Sequence, residues 1–164
     1  EIEENLNQFY STIDEMGNKV GCILFQAPPS FKKDEEHVMV LKRFLASTDP
    51  DFQNVLEFRH PSWWNEQTLN LLKKYRVAFC SVSGLNMPSD IMVSADFGYF
   101  RFHGPGKAYA SNYSEEQLLH WAEKIKDSID TFDLQKVYCY FNNDFYGYAI
   151  ENAKKLNQFL HRLV

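Results

Sequence analysis

Two short stretches of the chain hold the residue types most able to do chemistry. LEFRHPSWW (residues 56–64) sets a carboxylate, a guanidinium and an imidazole almost side by side as Glu57, Arg59 and His60, and YFRFHG (residues 99–104) adds Arg101 and His103. An arginine fork matches the oxygens of a carboxylate or phosphate. A histidine exchanges its proton near neutral pH more readily than other side chains. These are the parts of a site that fixes an anion and moves a proton, with Glu57 orienting an arginine. His103 is the leading acid/base candidate, because Gly104 after it lets the backbone turn sharply or approach a ligand. Gln26, Arg59, His60, Trp63, Arg101, Gly104, Lys107, Asn142, Asn143 and Asp144 are the candidate ligand contacts.

Each of these residues also has a purely structural reading. Glu57, Arg59 and Arg101 can form a satisfied ion-pair network that only pins the fold. His60 and Trp63 can pack at a rim, Asp144 can cap a helix, and Lys107 can be solvated. HGPGKAY (residues 103–109) is not a Walker A loop, because Arg101 stands at the first required glycine position and Ala108 at the Ser/Thr position.

The elements that must position these residues follow from hydrophobic period. Leu6, Phe9, Ile13 and Met16 recur at helical spacing before Gly17, and GCILFQAPPS (residues 21–30) is an apolar strand closed by two prolines. Val38, Leu41 and Leu45 mark a second helix. NVLEFRH is the second strand, and Ser62 is the expected N-cap of a helix reaching Tyr75. VAFCSVS and YFRFHG are the third and fourth strands, with a short helix or none between them. Ser114 and Gln117 read as a capping box for a helix carrying Leu118, Ala122, Ile125 and Ile129. KVYCYFNND is the fifth strand, and Asp144 is the expected cap of a final helix carrying Ala149, Ala153, Leu156, Leu160 and Leu163. Strands separated by helices pair in parallel through right-handed crossovers.

Alternation then divides the strands into two faces. One parity collects Ile23, Phe25, Leu56, Phe58, Ala78, Cys80, Val82, Phe100, Phe102, Val137, Cys139 and Phe141, all apolar. The other collects Gln26, Glu57, Arg59, Ser81, Ser83, Arg101, His103, Tyr140 and Asn142, with the polar residues towards the strands' C-terminal ends. An open sheet covered by helices on both faces would be apolar on both. One apolar and one polar face fits a barrel wall whose mouth is polar. The fold class expected is therefore α/β: a TIM-like β/α barrel, here a partial barrel of about five parallel strands.

Composition narrows the partners. At 164 residues the chain is long enough for one domain, taken as 1–164. The net charge of −5 gives no broad electrostatic footprint for nucleic acid, although a local basic cleft in an acidic protein stays open. Cys22, Cys80 and Cys139 match no zinc spacing and read as reduced buried thiols, hence a cytoplasmic chain. No apolar run is long enough to span a membrane.

With LFQAPPSF, LEFRHPSWW, YFRFHG followed by Tyr109 to Ser114, and YFNND followed by Glu151 to Ala153, the sequence resembles the YecE-like family, also called the domain-of-unknown-function 72 family. The resemblance runs from about Gly17 to the C-terminus. It implies a TIM-like barrel and no settled activity. Its motifs fall on Gln26, Pro28 and Pro29, on Glu57 to Trp63, on Arg101, His103 and Gly104, and on Asn142 to Asp144. Such proteins carry further N-terminal strand–helix units, which are absent here, and the chain opens on Glu1 rather than Met. It is therefore expected to be a shortened barrel with two open edges, prone to self-association.

Three functions follow as expectations. The first is an enzyme or binder of a small anionic ligand, phosphate or carboxylate, at the barrel mouth, with no cofactor specified. The second, by fold analogy alone, is a metal-dependent phosphodiesterase or nuclease-like enzyme acting on nucleic acid, with Glu57, His60, His103 and Asp144 as the metal-ligand types on hand. The third is a non-catalytic interaction module.

Overall fold

The structure is a computed structural model that describes residues 2–163. Its helices begin where short polar side chains can take up free backbone donors. Asp34 accepts from His37 N at the start of α2 (Glu35–Ala46), and Asn65 accepts from Thr68 N at the start of α3 (Glu66–Lys74). Ser114 and Gln117 close a reciprocal capping box on α4 (Glu115–Phe132). α1 (Ile2–Asp14) and α5 (Tyr148–Leu163) complete the helical set.

Five strands, β1 (Ile23–Ala27), β2 (Asn54–Phe58), β3 (Ala78–Ser83), β4 (Phe97–Phe102) and β5 (Lys136–Phe141), form one parallel sheet in sequence order. The sheet curves so far that side chains of β4 and β5 reach across its concave face to β1 and to the residues just before β1 and β2. The Tyr138 hydroxyl lies 3.2 Å from Gly21 O and 2.8 Å from Gln53 Oε1, and Arg101 Nη1 donates to Gln26 Oε1 at 3.1 Å. With helices between strands, this is a partial TIM-like barrel.

The convex face holds the main core. Leu56, Phe58 and Phe79 pack with Leu41, Leu45, Trp63 and Leu72 under α2 and α3. Phe100 and Phe102 pack with Leu118, Trp121, Ala122, Ile125 and Leu156 under α4 and α5. The concave face is apolar at its base, where Val55, Ala78, Cys80, Val82, Phe97 and Tyr99 cluster, and polar only at the C-terminal ends.

The alternation on β3 is the reverse of the sequence expectation. Cys80 pairs in register with Tyr99 and Val82 with Arg101, so Ala78, Cys80 and Val82 face the concave side, while Ser81 and Ser83 share the convex side with Phe100 and Phe102. The cause is the connection to β4. α3 covers β3 only around Phe79; beyond it the extended segment leading to β4 and the loop after β4 lie on the convex side and meet β3 through polar bonds. Ser81 Oγ accepts from Met92 N at 2.9 Å, Ser94 Oγ links Phe79 N and Val77 O at 2.7 Å each, and Ser83 Oγ accepts from the Tyr113 hydroxyl at 2.9 Å.

Two expected caps are also displaced. The chain after Pro61 is first a 3-10 turn, Pro61–Trp63, capped by His60, and α3 starts only after Asn65. Asp144 makes no capping bond; a further 3-10 turn, Phe145–Gly147, precedes α5.

Candidate functional site

β2 delivers Glu57 to the mouth of the concave face with no solvent exposure. A lone buried carboxylate would be costly, and here two guanidiniums face it. Arg59 Nε pairs with Oε1 and Arg101 Nη1 with Oε2. The equally buried His103 brings Nε2 to 3.6 Å from Oε1, just beyond hydrogen-bond length. Burial alone would push the Glu57 carboxyl up; the approach of His103 and the charges of Arg101 and Arg59 outweigh it and hold the carboxyl below the ordinary range. Behind it the Cys80 thiol sits 3.9 Å from Oε2 and is pushed well up by burial and the carboxylate charge, so it stays neutral.

Neighbouring strands fix the arginines. Gln26 Oε1 accepts from Arg59 Nη2 at 2.8 Å and from Arg101 Nη1 at 3.1 Å, and Asn142 Oδ1 accepts from Arg101 Nε at 3.2 Å. Two arginines around one carboxylate leave one positive charge in excess. Both ring nitrogens of His103 lack a hydrogen-bond partner among the described residues. A mouth of this kind can grip an anion and place an imidazole beside it.

The structure thus brings Gln26, Glu57, Arg59, Arg101, His103 and Asn142 together. It does not bring the other candidates there. Trp63 is buried on the convex side, stacked between Phe31 and Phe58, with Nε1 donating to Phe31 O at 2.7 Å. His60 Nδ1 is held 2.7 Å from Ser62 Oγ. Lys107 and Asp144 are exposed, and the Lys107 amine makes no hydrogen bond or ion pair among the described residues. Gly104 serves the backbone: at φ +99° it takes a left-handed turn and donates its N–H to the Tyr113 hydroxyl at 3.0 Å. Asn143 is fully buried, donating to Ser111 O at 2.9 Å and Asn152 Oδ1 at 2.8 Å, and so ties the loop after β4 to α5.

That loop carries a residue that stood in a family motif but not among the candidate site residues. Tyr109, at φ +64°, donates its N–H to His103 O at 2.6 Å, sets its ring edge-on to the His103 ring at 5.5 Å, and lies 3.2 Å through its hydroxyl from Arg59 Nη1. It covers one side of the mouth. The signal available was its place in a glycine-bounded loop just after His103, where a large aromatic has little other reason to stand.

A polar C-terminal mouth on a curved parallel sheet with outer helices defines a β/α-barrel protein with an arginine-rich candidate site. The comparisons with known proteins go one step further. Residues 1–163 match the family model described as protein of unknown function DUF72, and the chain belongs to that family. It is 27% identical over 168 residues to the UPF0759 protein YunF of Bacillus subtilis (strain 168), covering 87% of this chain and 58% of that protein. Among solved structures, it is similar to a DUF72 family protein from Thermotoga maritima MSB8, with 28% identity, a TM-score of 0.82, and coverage of 98% of this chain and 64% of that one. A DUF72 family protein from Enterococcus faecalis V583 shares the fold at 21% identity and a TM-score of 0.85, over 97% of this chain and 66% of that one. The chain therefore spans less than two thirds of the length of the curated relative and of the Thermotoga protein.

Proposed function

We propose that the mouth binds a small anionic ligand, a phosphate or a carboxylate, with Arg59 and Arg101 as the anion grip and His103 as the group that donates or accepts a proton beside it. The observation that carries this is the charge imbalance: one fully buried carboxylate, Glu57, stands against two guanidiniums, next to an imidazole with unused nitrogens. Charge-assisted bonds from a guanidinium to an anion are stronger and more directional than neutral ones. Glu57 keeps the two arginines aimed, and Tyr109 limits the size of the opening.

The metal-dependent reading has no observation of its own, because among the described residues no group of three or more His, Cys, Asp or Glu side chains is placed to hold a metal ion. Self-association is proposed through β1 and β5, which lie at the two edges of the sheet, and sedimentation tests it. We place the chain in the cytoplasm on its three unpaired cysteines, all with thiols raised by burial. No helix among the described residues is long and apolar enough to cross a membrane.

The experiment is a thermal-shift titration with inorganic phosphate and with acetate. We expect saturable stabilisation that Arg101→Lys weakens at least about tenfold, since lysine keeps the charge and loses the fork. Stabilisation unchanged in Arg101→Lys would remove the arginine grip from the reading.

A further inference from the structure

We propose that Gln26 is a displaceable internal occupant of the anion site, its carboxamide oxygen standing where a ligand oxygen binds. This rests on the anion-site reading above and concerns how the site is filled when no ligand is present. Oε1 lies between Arg59 Nη2 at 2.8 Å and Arg101 Nη1 at 3.1 Å. These donors come from two different strands and converge on one atom. The oxygen must be the end that faces them, because the amide nitrogen would set donors against donors. A neutral oxygen between two guanidiniums occupies the place that a carboxylate or phosphoryl oxygen would take with better charge complementarity.

Three further features fit displacement rather than a fixed structural bond. Glu57 already pairs with Arg59 Nε and with Arg101 Nη1, so neither arginine depends on Gln26 for its counter-charge. Gln26 is exposed, so its amide can leave for water without a desolvation cost. Its backbone is held in β1, in register with Glu57, so only its side-chain torsions need to change. Gln26 therefore keeps the arginine forks pointed inward instead of letting them collapse. Ligand entry exchanges two neutral-acceptor bonds for two ionic ones. A group that offers only a neutral oxygen gains nothing by the exchange, so Gln26 also sets a threshold that selects anionic over neutral ligands.

The test titrates inorganic phosphate into the wild-type chain and into Gln26→Ala, following the Arg59 and Arg101 side-chain Nε–Hε resonances by NMR. Gln26→Ala should bind phosphate about fivefold to tenfold more tightly, because the ligand no longer competes with two internal bonds of ordinary net strength. A second measurement needs no ligand. In Gln26→Glu the new carboxylate lies against Arg59 and Arg101, with Glu57 in register on the neighbouring strand, His103 beside Glu57 and the Tyr109 hydroxyl beside Arg59. The arginines should dominate, so this variant should melt above wild type at pH 7, lose the gain as the new carboxylate protonates in acid, and bind phosphate at least about tenfold more weakly. If wild type binds phosphate through Arg101 but Gln26→Ala binds equally or less tightly, Gln26 is a fixed bond or a ligand contact, and the displacement idea is wrong while the anion site stands. If neither chain binds phosphate or acetate, both fall. A Gln26→Glu chain that melts at or below wild type would overturn the bridging position itself.

Discussion

Replacing Glu57 with glutamine keeps the shape of the side chain and removes its charge, which makes it the sharpest probe of the mouth. Glu57 has no exposure, and the side chains of Arg59 and Arg101 are only 12% and 14% exposed, so the change strands two largely buried guanidiniums. Breaking a buried ion pair by removing one partner costs about 3–5 kcal/mol, and the residual exposure of the arginines places this case near about 3 kcal/mol. For a chain of this length that corresponds to a fall in Tm of roughly 6–12 °C. Calorimetry of Glu57→Gln against wild type at pH 7 measures it. The pH dependence supplies a second check. The folded carboxyl is held below its ordinary value of 4.5, so the stabilisation is fully present above that pH and is lost as pH falls through the lower, folded value. The Tm gap between the two proteins should therefore be flat from pH 7 to about 4.5 and shrink below it. A gap at pH 7 worth under about 1 kcal/mol, the range of exposed ion pairs, would refute the claim that Glu57 holds both arginines.

Further outcomes follow from the same geometry. Gly84→Ala should be strongly destabilising, because Gly84 has φ +96° and an added Cβ would collide with Gly104 O; urea unfolding measures the loss, and a cost below about 1 kcal/mol would contradict the close approach. Tyr113→Phe should cost about 1–3 kcal/mol, since it leaves the buried Gly104 N–H and Ser83 hydroxyl without their shared partner. Asn143→Ala should loosen the loop that carries Tyr109, seen as faster amide exchange at residues 109–113 than in wild type, with protection in the strands unchanged. Treatment with a strong chelator should leave Tm unchanged, as read by calorimetry before and after.

Much of the architecture was legible because the chain states it repeatedly. Strand after strand ends in a polar or charged residue while helices of period 3.6 lie between, and the Ser114–Gln117 box is a local signal that tertiary context had no reason to override. Gln26, Glu57, Arg59, Arg101 and Asn142 shared a parity, and their strands are neighbours or meet across the curve, so their convergence could be read in advance. β3 could not be read the same way. Its serines look like mouth residues only on the assumption that a helix covers the whole of its convex side; beyond Phe79 loop segments do so instead, so the hydroxyls of Ser81 and Ser83 belong on that side and small apolar groups face inward. Trp63 and His60 misled for a related reason. Both are close to Arg59 in sequence, but His60 caps the turn that begins at Pro61 and Trp63 is carried by that turn onto the convex side. The role of Tyr109 depends on a left-handed backbone turn that no spacing rule reveals.

The most direct measurement of the central claim is the side-chain NMR of Arg59 and Arg101 in the wild-type chain during a phosphate titration. We expect both Nε–Hε resonances to shift together along one saturable curve, with the His103 ring signals moving on the same curve and all three responses lost in Arg101→Lys. Arginine resonances that stay still, or that drift linearly as simple salt screening would make them, would contradict an anion site at the mouth.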